Sequence, residues 1–416
     1  MELNLNNLNV MSSKQVKIRK HPNRSFLLAI AAMAAGWPAV TSAQTIVKIG
    51  IVNSLSGFLA APGDEMQRGM DLYAKMHVKD LPAGVRIEVI KRDDAANPEV
   101  GKRVAQELIT RDKVNVLLGV MSSPIAAAIA PLTAEAKVPL VITNASGVSI
   151  PRISPYVARV SFTQWQTAVP LGKWAAQQGW KRAFTAVSDF IPGHDAESAF
   201  NKGYSDGGGQ IIGSVRFPTN NPDFAPFVQK VKDAKPDVLF IFVPGGTQAT
   251  AMIKTIRDLG LREAGINVVS TQDLVPDEEL PNMGDAPVGL VTAGNYSIAA
   301  TRPANTSFLI AWTDEYGPKS VPDFYAVGGW DGMAAVFDVI KQSKGKFNGD
   351  DAMTLLKGWN NPDSPRGPIS IDPDTRDIVQ NIYIRRTEVK GGKLVNTEFE
   401  TIANAKDPWK ELNPAK

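Results

Sequence analysis

Residues 114–143 read VNVLLGVMSSPIAAAIAPLTAEAKVPLVIT, and this stretch decides the fold. VNVLLG (114–119) and VPLVIT (138–143) are short runs rich in Val, Leu and Ile, which predict strands. Between them, residues 124–136 are rich in alanine and predict a helix. A strand, a helix and a strand within 30 residues describe a parallel βαβ unit.

The same alternation extends in both directions. Upstream, IVKIGIV (46–52) predicts a strand, and Met66, Met70 and Tyr73 mark one face of a helix within residues 64–78. VRIEVIKR (85–92) alternates as a strand. Asn97-Pro98 then opens a helix, with Asn as cap and Pro at the first helical position, whose buried stripe is Val100, Val104 and Leu108. Downstream, a helix is predicted over 165–178, a strand at RAFTAVS (182–188), a helix over 194–205 and a strand at QIIGSVRF (210–217). Phe224, Phe227, Val228 and Val231 mark another helix. DVLFIFV (237–243) is nearly all apolar, as a strand covered on both faces should be. A helix over 247–259 and a strand at INVVST (266–271) complete the second run. Two such runs, each of about one domain's length, predict an α/β fold of two lobes with mainly parallel sheets. After two more helices (305–316 and 325–342), PISI, IVQNIYIRR and LVNTEFE predict antiparallel strands.

The N-terminus gives the compartment. Lys14, Lys17, Arg19, Lys20 and Arg24 precede the uncharged run SFLLAIAAMAA (25–35), and Thr41 and Ala43 are small residues placed before a cleavage point. This is the three-part pattern of a secretory signal peptide (residues 1–43), and it predicts a periplasmic protein cut near Ala43. The apolar run is shorter than the roughly 20 residues needed to span a bilayer. Cleavage would leave 373 residues with a net charge of −1, so the pI of the uncut chain misleads. No basic surplus remains to favour nucleic acid or anionic membrane. The chain has no cysteine, which excludes disulfides, thiol chemistry and a lipid-anchored N-terminal Cys.

Enzyme chemistry finds little support. The mature chain has two histidines, His77 and His194, distant from each other in sequence and without cysteine partners for a metal. Neither accompanies a G-x-S-x-G nucleophile turn. GGG (207–209) lacks the Lys-Ser/Thr of a phosphate loop and reads as a helix C-terminal turn. The acidic pairs Asp93-Asp94 and Glu278-Glu279 read as solvated loop or turn residues. Catalysis, metal and cofactor are therefore not expected. What remains is a set of small polar residues where strands end: NSLSGF (53–58), GVMSSP (119–124), TNASG (143–147) and STQD (270–273). Ligands of open parallel sheets sit beyond the carboxyl ends of the strands. Serine hydroxyls and backbone N–H groups at a helix start suit a carboxylate, and Ser123 before Pro124 fits that geometry.

Five blocks resemble a known family. IGIVNSLSGFLAAPGDEMQRGMDL (49–72), LLGVMSSPIAAAIAPLTAEAKVPLVITNAS (117–146), SDFIPGHDAE (188–197), YAVGGWDGM (325–333) and GPISID (367–372) are similar to the type I periplasmic binding proteins. The nearest branch is that of leucine/isoleucine/valine-binding receptors of ABC importers. The resemblance implies two lobes joined by three crossovers that close like a hinge. Lobe one is expected at 44–163 and 298–373, and lobe two at 164–297 and 374–416. It implies that Ser123, Asn144, Ala145 and Ser146 hold the ligand carboxylate and its neighbouring polar group, with Phe58 as a wall. Phe190 and the Gly245-Gly246 turn would face them from the second lobe. Gln272 or Asp273 would meet a ligand ammonium. Asn144, where a small apolar residue is common, and Phe190-Ile191-Pro192, in place of a loop that often carries tyrosine, depart from the amino-acid pattern.

The expected function is capture of a branched-chain or related amino acid for an inner-membrane ABC permease, by a monomer. An aromatic or other organic carboxylate is the alternative ligand, with Phe58, Phe190, Trp165 or Tyr296 stacking on a ring. A sensory module of the same fold is the alternative role. The ligand class turns on Asp273. A buried zwitterion needs both charges answered, and no other evident acid could answer the ammonium.

Overall fold

The computed structural model describes residues 44–220 and 222–414. The expected signal peptide lies outside the described residues. Among those described, no helix is long and apolar enough to cross a membrane.

The first sheet is built from β1 (Thr45–Asn53), β2 (Val85–Asp93), β3 (Val116–Gly119), β4 (Leu140–Ile142) and β5 (Val157–Arg159). All pairings are parallel, in the order β2-β1-β3-β4-β5. The helices of this part are α1 (Ala60–His77), α2 (Pro98–Thr110), α3 (Ser123–Ala136) and the short α4 (Ile150–Ile153). Side chains alternate across the sheet as strand geometry requires. Ile49, Ile51 and Leu118 bury against Met66, Met70 and Tyr73 of α1, while Val52 and Leu117 bury against Val104 and Leu108 of α2 and Ile125 of α3. Asn97 caps α2 by accepting the N–H groups of Glu99 and Val100, with Pro98 at the first turn, as the sequence predicts.

The second sheet contains β6 (Arg182–Ser188), β7 (Gln210–Phe217), β8 (Val238–Phe242), β9 (Asn267–Thr271) and β10 (Val291–Gly294), in the parallel order β7-β6-β8-β9-β10. Its helices are α5 (Gln164–Gln177), α6 (Ile191–Asp206), α7 (Ala225–Ala234) and α8 (Thr247–Asp258). All five residues of β8 are buried because α5 and α6 cover one face and α7 and α8 the other. The chain then returns to the first sheet through α9 (Pro303–Tyr316), α10 (Phe324–Ser343) and α11 (Gly349–Leu356). Gly69 makes the α1–α10 crossing close: a Cβ there would strike the Ala326 carbonyl.

The tail is antiparallel, as predicted. It comprises β11 (Asn360–Asn361), β12 (Ile369–Ile371), β13 (Ile378–Lys390) and β14 (Lys393–Ala405), followed by α12 (Pro408–Leu412). β13 pairs with β10 and carries the chain from the first core, at Ile378, into the second, at Ile382 and Ile384.

The three crossings between the sheets are tied together by buried polar groups. Gln380 Nε2 donates to the Ser161 carbonyl at 2.9 Å, and its Oε1 accepts from Asn295 at 3.1 Å and from Arg366 at 3.0 Å. Arg366 is fully enclosed and pairs with Asp331 at 2.9 Å. One amide thus touches all three strands of the hinge, and a buried network of this kind specifies one arrangement only while every member is satisfied.

One residue of the two acidic pairs, Asp94, is placed differently from expectation. Asp94 is fully buried and accepts from the Ser54 hydroxyl at 2.6 Å, so it pins the loop after β1 instead of facing water. Glu278 is drawn 3.6 Å from Arg68 of α1. Glu278 is a half-exposed turn residue, whereas contacts between sequence-distant loops enclose Asp94.

Candidate functional site

Both sheets share one strand order, with the second strand of each run lying outside the first. The order therefore reverses between β1 and β3 in one sheet and between β6 and β8 in the other. A crevice opens beyond the strand ends at such a switch point. The two crevices face each other and enclose a narrow cavity. Met121, Ser122, Ser123, Asn144 and Ser146 line it from the first sheet, and Phe190, Pro192, Phe242, Pro244 and Asp273 from the second. Leu59 at the start of α1 and Tyr325 at the start of α10 complete the wall.

The loop after β3 is held under strain. Val120, a β-branched residue, adopts φ +68° in the left-handed region, which costs of order 1–3 kcal/mol. Its N–H binds the Val52 carbonyl at 2.9 Å and its carbonyl accepts from Ala145 at 3.0 Å. These bonds aim the next three residues into the cavity. Ser123 Oγ accepts the Gly147 N–H at 3.0 Å. Ser146 Oγ accepts from Gln164 Nε2 at 3.3 Å. Each hydroxyl has one proton and has already accepted a bond, so each keeps that proton to give. Asn144 donates to the Met121 carbonyl at 2.8 Å, which leaves its own carbonyl oxygen without that bond.

Helix starts add to the donor character. Ser122 and Phe190, the cap residues of α3 and α6, line the cavity, and neither helix has a side-chain cap. α8, also without a side-chain cap, begins three residues after Pro244. The unsatisfied N–H groups and the positive dipole ends of such helices favour an anion.

Asp273 is the one acid in the wall. Its Oδ2 accepts from Thr271 Oγ1 at 2.7 Å and from Gln164 Nε2 at 3.4 Å. Burial pushes its pKa up to about 6, against the lowering effect of those bonds. The cavity therefore has a donor-rich side and one anionic acceptor. Its aromatic surface is Phe190, whose ring lies 6.0 Å from that of Phe242, together with Tyr325.

Of the residues singled out in the sequence, Ser123, Asn144, Ser146, Phe190 and Asp273 meet on this wall. The others do not line it. Ala145 is buried behind it, its backbone N–H used on Val120. Phe58 packs against the first core, and its neighbour Leu59 takes the place on the wall. The Gln272 side chain turns back to accept the Asn295 N–H at 2.9 Å, so of the two candidates in STQD only Asp273 faces the cavity. Tyr296 is wholly buried in the first core, with its hydroxyl donating to Asn305 at 2.8 Å, and Trp165 is buried in the second core. Gly245 sits behind the wall against Tyr325, where an added Cβ would stand 2.5 Å from the Tyr325 hydroxyl. Pro192 and Ser122 lie inside segments that the sequence flagged. Phe242 ends an apolar strand and Tyr325 opens an apolar helix, so local pattern alone reads both as core.

His77 and His194 each face an aspartate on the surface, Asp80 at 2.7 Å and Asp189 at 2.6 Å, and neither lines the cavity. Among the described residues no group of three or more His, Cys, Asp or Glu could hold a metal.

Comparison with known proteins agrees with this architecture. Residues 46–393 match the family model described as periplasmic binding protein. A protein described as Leu/Ile/Val-binding protein homolog 6, from Brucella melitensis, is 35% identical over 386 residues, or 92% of this chain and 98% of its own length. The solute-binding protein of an ABC transporter from Rhodopseudomonas palustris BisB5, solved in complex with 3,4-dihydroxybenzoic acid, is 45% identical. It superposes with a TM-score of 0.85 over 88% of this chain and 99% of that one. A second such protein, from Rhodopseudomonas palustris HaA2 and solved with p-hydroxybenzoic acid, is 38% identical with a TM-score of 0.84, over 87% and 98% of the two chains.

Proposed function

The chain belongs to the periplasmic binding protein family, and from that premise we propose that it captures an aromatic carboxylate in the periplasm and delivers it to an ABC importer. The observation that carries this reading is the two-sided wall of the cavity. Ser123, Ser146 and the starts of α3 and α6 offer donors to a carboxylate, and Phe190, Phe242 and Tyr325 offer faces and edges to a ring. The relatives solved with hydroxylated benzoic acids support the same choice. A ligand hydroxyl would donate to Asp273.

The partner in this reading is an inner-membrane permease, and the protein acts as a monomer exported by cleavage near Ala43. Its lobes are 44–163 with 298–373 and 164–297 with 374–416, turning about the network around Gln380. Ligand binding shifts the population toward the closed arrangement, because only there do both walls contact the ligand.

One observation favours a second reading. Asp273 is also where an amino acid's ammonium would need its counter-charge, so a branched-chain or related amino acid is the rival ligand. A thermal-shift panel separates the two. Stabilisation by benzoate and its hydroxylated forms, with none by leucine, isoleucine or valine, is the expected result. Stabilisation by the amino acids alone would overturn it.

A further inference from the structure

Gln164 is fully buried and is the first residue of α5, immediately after the first crossing between the sheets. Its amide nitrogen bonds two residues of the cavity wall that come from different sheets, Ser146 Oγ at 3.3 Å and Asp273 Oδ2 at 3.4 Å. Its own Oε1 is buried without a partner. An apolar side chain in this place would leave no such orphan, so what the amide supplies is its pair of N–H donors.

Those donors have a directional effect. An amide nitrogen gives protons and accepts none. Ser146 must therefore accept, and its single proton is left for the ligand. Asp273 must accept as well, with Thr271 donating to the same oxygen. One amide thus sets one part of the wall as donor and the other as acceptor.

We propose that Gln164 is a positioning residue which fixes this polarity, and that it thereby selects aromatic carboxylates bearing a ring hydroxyl over unsubstituted ones. The inference rests on the aromatic-acid reading above. A hydroxybenzoate answers both parts of the wall: its carboxylate takes the serine protons and its hydroxyl gives a proton to Asp273. Benzoate leaves the enclosed Asp273 carboxylate facing a C–H edge. A site built to bond a ligand hydroxyl discriminates strongly against the analogue that lacks it.

The test is calorimetry with 4-hydroxybenzoate and with benzoate on wild type, Gln164→Met and Gln164→Glu. The isosteric glutamate keeps the shape and removes the donors, so it covers the case in which the methionine variant fails to fold. Wild type should prefer 4-hydroxybenzoate by about a hundredfold. In the variants that ratio should fall at least tenfold, while a loss of fold alone would weaken both ligands together. Wild type binding both acids, with a ratio unchanged within threefold in the folded variants, would overturn the role of Gln164 and leave the aromatic-acid reading standing. A wild type that binds neither acid would overturn both.

Discussion

The Ser123 hydroxyl accepts the Gly147 N–H at 3.0 Å, which joins the loop after β3 to the loop after β4. The bond has two consequences. It fixes the mouth of the first crevice, and it leaves the hydroxyl proton free for a ligand oxygen. Ser123→Ala removes both. A bond to a charged group contributes about 1.5–3 kcal/mol, so ligand affinity should fall by roughly ten- to a hundredfold. The melting temperature should drop only a few degrees, from the unpaired Gly147 N–H. Unchanged affinity in titration would remove Ser123 from the site.

Asp273 gives a pH signature in the ligand-free protein. Burial raises its pKa from the ordinary carboxylate value of 3.8 to about 6, so the folded state holds its proton more tightly than the unfolded chain. The stability associated with that proton is present below the unfolded value and is lost as pH rises through the folded one. Asp273→Asn keeps an oxygen for Thr271 and cannot ionise. The variant should be more stable than wild type at pH 7.5, by at most about 3 kcal/mol. The difference should vanish near pH 3, below the unfolded value. Urea denaturation at the two pH values checks this, and an equal gain at both would contradict it.

A contact between the loop after β8 and α10 depends on a missing side chain. Gly245, in the loop after β8, lies against Tyr325 of α10, and a Cβ there would stand 2.5 Å from the Tyr325 hydroxyl. That hydroxyl is the end of a buried, stiff side chain. Gly245→Ala should hold the lobes apart. Small-angle scattering of wild type should show compaction on adding ligand, and the variant should show less, with about tenfold weaker binding. Identical compaction in both would mean that the contact is not limiting.

Arg366 tests the hinge network. It is buried with Asp331 and touches the first crossing and Gln380. Arg366→Met leaves the Asp331 carboxylate enclosed and unpaired, which costs about 3–5 kcal/mol. Chemical denaturation should show a loss of that size. A loss below 1 kcal/mol would show that Asp331 finds another partner.

The sequence carried most of the architecture, because long apolar runs and helical stripes are local signals. RAFTAVS and QIIGSVRF form strands over the predicted spans. The strands that escaped, β5, β10 and β11, have three, four and two residues, too few to display a period. The site was half legible. Ser123, Ser146 and Asp273 stand out because polar residues at strand ends are locally unusual. Tyr325 and Phe242 do not, since an aromatic at the end of an apolar element looks the same whether it faces a core or a ligand. Gln272 and Tyr296 were misplaced for a related reason. Which of two adjacent residues faces the cavity depends on a turn of the chain, and a buried tyrosine can satisfy its hydroxyl within the core, as Tyr296 does on Asn305.

The central claim is that the cavity takes an aromatic carboxylate. Calorimetric titration of the protein spanning residues 44–416 with 4-hydroxybenzoate and, separately, with leucine tests it most directly. Saturable one-to-one binding of 4-hydroxybenzoate and no heat with leucine beyond dilution are the expected result. Saturable binding of leucine with no response to 4-hydroxybenzoate would contradict it.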